Sequence, residues 1–357
     1  MNYPTQQDQK VDSDPQEYKM KRALVTGGCG FIGSNLTREL VKQGWQVDVV
    51  DDMSNGHLEL LSGLKFKTLL NSSFIYYFME QMKGKTKRSS DTVLVIQDDF
   101  SADQMLEYVK TGAYDVIFHQ AAMPRVGYSV EYPYETTLAN VAKTVRLFEA
   151  AKGNVTRIVN ASSSSVYGES KELPTTEAQA KLPKSPYAWQ KSTIEDFSKL
   201  CWDLYQLDVV NLRYFNVFGE GQYGDSPYST AVSAWCHAIR HGKECRSDGD
   251  GKQTRDMCHV ANVVSANILA ASRKEPFMGD FYNIGIGERV SNNAILAHLA
   301  VKFPKKVKIK HAEERPGDVK HTLSDIIKAN KAFGYKPIVD FWEGLERTIE
   351  WWGINEE

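Results

Sequence analysis

The stretch KRALVTGGCGFIGSNL, Lys21–Leu36, decides the fold. Its short apolar run ends at glycine, and the continuation FIGSNLTRELVKQG carries apolar residues at helical spacing as far as Gly44. A second apolar run, WQVDVVDD, completes a β-α-β unit. Gly27, Gly30 and Gly33 form a G-x-x-G-x-x-G pattern between the first strand and the helix. A glycine triplet alone is a weak signal, but here it has the strand before it and the helix after it that a dinucleotide site requires. The glycines let the backbone turn tightly and approach a pyrophosphate, which then rests on the positive end of the helix dipole. A merely tight strand-to-helix turn is the plainer alternative.

Asp51 ends the second strand, 18 residues past Gly33. A carboxylate there accepts hydrogen bonds from both adenosine-ribose hydroxyls and repels a 2′-phosphate, so NAD is expected over NADP. Its neighbour Asp52 is expected to face solvent. Asp99, closing VLVIQDD, is the candidate acceptor for the adenine amino group, with an ordinary exposed strand-end aspartate as the alternative.

The alternation continues. Apolar runs TVLVIQDD, YDVIFHQAA, RIVNASSSS and DVVNLRYFNVFG are separated by the helical stretches SADQMLEYVKTG, ETTLANVAKTVRLFEAA and SPYAWQKSTIEDFSKLCWDLYQ. This predicts an α/β fold, a Rossmann-type doubly wound parallel sheet covered on both faces. After Gly219 the rhythm changes: a loop-rich segment, helices around AVSAWCHAIRHG, ANVVSANILAAS and SNNAILAHLAVKF, and short strands FYNIG and KVKIK predict a smaller C-terminal α/β substrate-binding lobe. The expected organisation is a polar N-terminal tail over 1–20, an NAD-binding domain over 21–216, and a substrate lobe over 217–357 with segments returning to the main sheet. An insertion at about 57–90 separates the second and third runs; its middle reads as an apolar helix and its end is basic. An extra helix on the domain edge is expected, with a docking or membrane-surface element as the alternative.

The chain has 357 residues, 42% hydrophobic and 25% charged, with a formal net charge of −2, enough to bury a large core and without a basic excess to attract nucleic acid. No run approaches the ~18 apolar residues of a membrane span, and the start MNYPTQQDQKVDSDPQEYK lacks an apolar leader segment, so a cytoplasmic protein is expected. The five cysteines, odd in number and without a CxxC or Cys/His spacing, read as free thiols of a reducing compartment and give no metal site.

Four hydroxyls stand in a row in ASSSSVYGES, Ala161–Ser170, at the end of an apolar run. Downstream, SPYAWQKS sets Tyr187 and Lys191 four residues apart, on one face of a helix. A phenol with a pKa of ~10 is a poor base at neutral pH, but a nearby ammonium and a cationic nicotinamide stabilise its phenolate.

In this order, the glycine motif, the serine run and Y-x-x-x-K resemble the extended short-chain dehydrogenase/reductase family, and within it the NAD-dependent UDP-sugar 4-epimerases, above all those related to UDP-N-acetylglucosamine 4-epimerase. The resemblance runs from about Lys21 to the C-terminus, the insertion being its main gap. It implies that Ser163, Tyr187 and Lys191 are catalytic, Ser163 helping to pass the sugar 4-hydroxyl proton to Tyr187. Ser164 and Ser165 would line the wall beneath the sugar, and Ser162 would be structural, capping loose backbone. Phe31, Ile32, Phe100 and Asn140 would join the glycines, Asp51 and Asp99 around NAD. Asn216 and Arg255 would grip the diphosphate, Arg315 and Asp318 would hold phosphate and uridine ribose, and Thr322 would wall the pocket beside the sugar 2-substituent, unless it is a helix N-cap. Enzymes restricted to glucose and galactose resemble one another in carrying a bulky tyrosine there, so threonine favours UDP-GlcNAc and UDP-GalNAc. Two departures stand out: Pro124 replaces a lysine of galactose-type epimerases, and Asn262 stands where aspartate is usual.

The implied reaction oxidises carbon 4, lets the 4-keto sugar swing about its diphosphate, and reduces the other face. UDP-glucuronate 4-epimerisation is the main alternative, since uronate epimerases share an SSSSVYG-like run. Dehydration or decarboxylation is less favoured, because Ser164 and Ser165 stand where those enzymes place acidic residues. A sensor that binds NAD without turnover is the alternative of another class, but it expects a broken Ser-Tyr-Lys set. A homodimer, paired through the helices of ETTLANVAKTVRLFEAA and SPYAWQKSTIEDFSKLCWDLY, is the expected assembly.

Overall fold

The structure, a computed structural model, describes residues 21–82, 89, 91–124, 126–170, 172–225, 229–313 and 319–354. The expected N-terminal tail, the basic end of the insertion, and Arg315 and Asp318 lie outside the described residues.

The apolar runs form one sheet of eight parallel strands: β1 (Arg22–Thr26), β2 (Gln46–Asp51), β3 (Lys65–Leu70), β4 (Thr92–Gln97), β5 (Val116–His119), β6 (Arg157–Ser163), β7 (Val209–Tyr214) and β8 (Phe281–Ile284). Their order is β8-β7-β6-β5-β1-β2-β4-β3. The winding reverses between β1 and β5, and a doubly wound sheet binds ligands at the carboxyl ends of the strands beside that reversal.

Helices cover both faces: α1 (Phe31–Lys42), α2 (Asn71–Met82), α3 (Asp103–Lys110), α4 (Val126–Glu131), α5 (Pro133–Thr137), α6 (Lys143–Ala151), α7 (Pro186–Tyr205), α8 (Ala231–Arg240), α9 (Val260–Ser272), α10 (Asn292–Lys302), α11 (Ile327–Phe333) and α12 (Phe341–Trp351). Alternate strand residues serve the two layers. Val25, Val49, Phe118 and Val159 pack with Leu36 and Leu40 of α1 and Val263 and Ala266 of α9. Leu24, Val50, Ile117 and Ile158 pack with Leu106 of α3, Phe148 of α6 and Ile194 of α7. Burial on both faces is why these strands read as continuous apolar runs.

The insertion holds more than the expected helix. Besides α2 it contributes β3, which pairs in parallel with β4 from Lys65↔Thr92 to Leu70↔Gln97. Leu69 and Phe74 are buried there, with the Phe74 ring 5.1 Å from that of Tyr108. Most of β3 is exposed, as an edge strand with lysines at alternate positions is; that polar pattern hides it from a search for apolar runs.

The 217–357 segment divides its residues between two bodies. α8, α10 and α12 enclose a separate core around Trp235, Leu296 and Phe341. α9, α11 and β8 return to the main sheet, β8 pairing with β7 from Phe281↔Asn211 to Ile284↔Tyr214. The strand expected at KVKIK lies slightly later, at Ile309–Ala312, paired with Cys245–Asp248. Among the described residues, no helix is long and apolar enough to cross a membrane.

Candidate active site

At the end of β1 the chain turns through Gly27 at φ +67°, where a side chain would be strained and its Cβ would lie 2.8 Å from the Ala121 amide nitrogen. A Cβ on Gly33 would lie 2.1 Å from the Gly27 carbonyl oxygen, so only glycine lets α1 start this close to the loop. Gly30 caps α1 without a side-chain hydrogen bond, leaving first-turn amides for an anion. Phe31 and Ile32 open that helix, partly buried.

Asp51 ends β2 nearly buried. Its Oδ2 accepts from the Cys29 amide at 2.9 Å and its Oδ1 from the Met53 amide at 3.0 Å. Burial raises its pKa, and these amides oppose the rise. Asp52 beside it is exposed. Asp99 is half-buried and already engaged, accepting from the Ser101 amide and hydroxyl and from Lys143. Phe100 packs edge-on to His119 at 4.9 Å. These groups fit NAD: a cradle that a Cβ would fill, bare helix amides, and a fixed carboxylate. Apo-protein is expected to bind NAD at least about 30-fold more tightly than NADP, since like charges forced together cost several kcal/mol. Equal affinities on titration remove Asp51 from that role.

Asn140 lies in a π-helical turn, Leu138–Ala142, between α5 and α6. Its amide accepts from the Met123 amide and donates to the Met123 carbonyl and to Gln190. Both of its donors are thereby engaged within the protein, which makes it the brace of the loop after β5. Pro124 sits exposed in that loop. His119, buried at the end of β5, lies between Thr26 at 2.8 Å and Thr144 at 2.9 Å. The Thr144 hydroxyl donates to the Asn140 carbonyl, so its oxygen accepts Nε2–H of His119, and Nδ1 is left to accept from Thr26.

α7 begins at Pro186 behind Ser185, whose hydroxyl accepts from the Ala188 amide. Tyr187 and Lys191 lie on one face of it, both buried. The Ser163 hydroxyl lies near enough to the Tyr187 phenol to draw its pKa down, and Lys191 Nζ donates to the Ala161 carbonyl at 2.7 Å. Burial pushes the Tyr187 phenol up to about 12, against the pull of Ser163. It pushes Lys191 down to about 8, against the pull of Glu195. Spacing put Tyr187 and Lys191 on one face of α7, and the fold sets that face beside the end of β6, where the family resemblance placed Ser163.

The serines divide their work. Ser163 ends β6 and caps the 3-10 turn Ser164–Tyr167, accepting from the Ser165 amide at 3.2 Å. The Ser165 hydroxyl is buried with no hydrogen-bond partner among the described residues. Ser164, in the same turn, is partly exposed. Ser162 is structural, but it caps no loose backbone: it donates to Glu195 Oε1 at 2.6 Å.

Asn216 and Thr322 meet in the second half of the chain. Asn216 Nδ2 donates to the Thr322 hydroxyl and to the Asp256 carbonyl, each at 3.0 Å. The Thr322 oxygen also accepts from the Asp256 amide at 3.1 Å. Thr322 precedes α11 by five residues and does not cap it. Arg255 Nη1 donates to the Lys320 carbonyl at 2.9 Å, beside the same segment. Asn262 accepts from the Ile338 and Val339 amides and donates to the Val339 carbonyl at 2.7 Å. An aspartate could not make that last bond, which accounts for the amide.

Sequence reasoning passed over two buried carboxylates and a histidine. Asp256 accepts from the Ile286, Gly287 and Ser324 amides and from the Ser324 hydroxyl, tying three segments around Arg255 and Thr322. Glu195 forms a fully buried pair with Arg213. An acid next to a singled-out arginine, and an acid one turn beyond Lys191, were the available signals; His119, inside an apolar run, gave none. Among the described residues, no group of three or more His, Cys, Asp and Glu could hold a metal.

The sequence profile of the NAD dependent epimerase/dehydratase family matches residues 23–285. The UDP-N-acetylglucosamine 4-epimerase of Methanobrevibacter ruminantium M1, solved with UDP-N-acetylmuramic acid, superposes with a TM-score of 0.81 at 32% identity, over 94% of this chain and 99% of that one. A putative UDP-glucose 4-epimerase of Methanocaldococcus jannaschii is 30% identical over 93% of this chain and 98% of its own length. A UDP-glucuronate 4-epimerase of Thermodesulfobacterium geofontis is 30% identical over 94% of this chain and 97% of its own.

Proposed function

We propose a substrate and a division of labour from one premise: the chain belongs to the NAD dependent epimerase/dehydratase family and is an NAD-dependent UDP-sugar 4-epimerase. The substrate pair is UDP-GlcNAc and UDP-GalNAc, with UDP-glucose and UDP-galactose also accepted. The observation that carries this reading is Thr322. It is hydrogen-bonded to Asn216 and follows the Lys320 carbonyl that Arg255 holds, and a threonine there favours N-acetyl sugars by resemblance to family members that carry a small residue in place of tyrosine.

Bound NAD supplies an acceptor that takes a hydride and returns it, and in its oxidised form a positive charge. Tyr187 removes the 4-hydroxyl proton as the alcohol becomes a ketone. Ser163, whose hydroxyl acts on the Tyr187 phenol, relays that proton. Lys191 holds a cation within 5.9 Å of the phenol ring and favours its ionised form. Asn216, Arg255, Arg315 and Asp318 hold the UDP moiety, anchoring the ketone while its sugar turns over.

Incubation of the enzyme with UDP-GlcNAc, UDP-glucose and UDP-glucuronate separately, with NMR analysis of products, tests the reading. Turnover of the uronate alone would move the assignment to the alternative that the T. geofontis relative represents. A finer test uses two variants, because Thr322 offers both a small volume and a bridging hydroxyl. Thr322→Tyr is expected to lose UDP-GlcNAc turnover by about 10–100-fold relative to UDP-glucose, from overpacking of ~1–3 kcal/mol. Thr322→Val, which removes only the hydroxyl, is expected to affect both sugars alike. Parallel loss of both sugars in the tyrosine variant would make Thr322 purely structural.

The chain is further proposed to act as a homodimer in the cytoplasm. Trp189, Leu200 and Leu204 stand exposed at helical spacing along α7, and Leu138 of the adjoining π turn is exposed as well. Leu204→Arg is expected to give monomers by light scattering; an unchanged mass assigns that face no role in assembly. The five cysteines, all free and buried, suit a reducing compartment.

A further inference from the structure

Beneath the catalytic face lies a buried ionic network that the reaction does not use directly. Glu195 follows Lys191 by one helical turn and is fully buried. Its Oε1 accepts from Arg213 Nε at 2.8 Å and from the Ser162 hydroxyl at 2.6 Å, and its Oε2 accepts from Arg213 Nη2 at 2.5 Å. The Arg213 guanidinium lies 3.7 Å from the Phe281 ring centroid and 4.7 Å from that of Tyr167. Ser162 and Arg213 are register partners across β6 and β7, and Ser163 is the next residue of β6. One layer deeper on the same strands, Asn160 donates to Asn211, which also accepts from Ser198 of α7 at 3.2 Å.

Two polar rungs therefore join α7 to β6 and β7 where apolar packing would serve for stability alone. A buried ion pair contributes little net stability against an apolar pair of similar volume, because desolvation offsets the attraction. Apolar side chains also tolerate sliding, whereas a bidentate guanidinium and carboxylate accept one alignment. A shift of α7 along the strands would carry Tyr187 and Lys191 away from Ser163 and the Ala161 carbonyl.

We propose that Glu195 and Arg213 are positioning residues: through Ser162 they lock the register of α7 against the ends of β6 and β7, and so hold Tyr187 and Lys191 against Ser163. The pair touches neither substrate nor cofactor. The proposal rests on the epimerase reading only for its kinetic assay. Lack of wild-type turnover on every UDP-hexose would defeat that reading, whereas the positioning role is judged by comparing variant with wild type.

Glu195→Gln/Arg213→Met removes both charges at once and avoids stranding one. It is expected to keep wild-type NAD affinity and KM while kcat falls about 100-fold, the loss that a 1 Å misplacement of reacting groups produces. Ser162→Ala keeps the ion pair and is expected to lower kcat by about tenfold at an unchanged melting temperature; it decides the matter if the double variant does not fold. In a crystal structure of either variant, the Ser163 and Tyr187 hydroxyls are expected to lie farther apart than in a crystal structure of the wild type. Wild-type kcat in a folded variant overturns the proposal, as does a Ser163–Tyr187 separation equal to that of the wild type, and the latter holds whatever the substrate is.

Discussion

Tyr187→Phe lowers kcat by about 10²–10⁴-fold, the usual worth of a positioned acid or base, and leaves NAD binding close to that of wild type. The substitution deletes one oxygen. The ring keeps its buried place on α7, whose position is also fixed by the Tyr187 backbone amide donating to Ser129 at 3.0 Å. What disappears is the phenol oxygen that the Ser163 hydroxyl, at the end of β6, acts upon. In the protein alone burial holds that phenol at about 12, so the base needs positive charge beside it, and Lys191 and the oxidised cofactor bring it. kcat should accordingly rise with pH over the neutral range in wild type. Ser163→Ala should be milder, because water or Ser164 can carry the proton in its place. A Phe variant that retains most of its rate would show that another group is the base.

How legible this site was depended on how local its determinants are. Gly27, Gly33 and Asp51 lie on one β-α-β unit, so spacing alone puts them together. Tyr187 and Lys191 share a helix, and four residues bring them to one face. By contrast, the Asn216–Thr322 contact spans 106 positions and depends on a segment returning beside the Thr254–Arg255 strand. Only resemblance to a family could bring such residues together in advance, and it could not tell that the Thr322 hydroxyl bridges Asn216 and Asp256. Asn140 shows the converse limit: its position was foreseen, but its two donors turn inward to Met123 and Gln190.

The fold followed the same rule. Central strands buried on both faces announce themselves as apolar runs. β3 escaped because an edge strand needs only one buried flank, and its lysines at 65 and 67 are ordinary protection of a free edge. Glu195, the true partner of Ser162, escaped for another reason. Buried polar pairs have no periodicity, and an acid on a helix reads by itself as a surface group.

His119 makes acid the condition to which this fold is most exposed. Burial, with the nearby Lys191 charge adding to it, pushes its imidazole down to about 3. The hydrogen-bond directions agree: Nδ1 accepts from Thr26, and a proton there would set two donors face to face. An unfolded chain binds that proton near pH 6.5. Between about 6.5 and 3 the unfolded state therefore holds one more proton than the folded state, and stability rises with pH across that window. The contribution is fully present above 6.5 and declines by about 1.4 kcal/mol for each unit of acidification, some 3 kcal/mol by pH 4. His119→Gln retains an amide that can donate to Thr144 and an oxygen that can accept from Thr26, yet it does not titrate. Urea unfolding of both proteins at pH 4.5, 6 and 8 should show the variant's stability falling less steeply towards acid. Asp51 and Asp256, whose pKa values burial raises, act with the opposite sign, but they are common to both proteins and cancel in the difference. Parallel curves would mean that His119 charges in the folded state, and that the Thr26–His119–Thr144 chain rearranges to admit the proton.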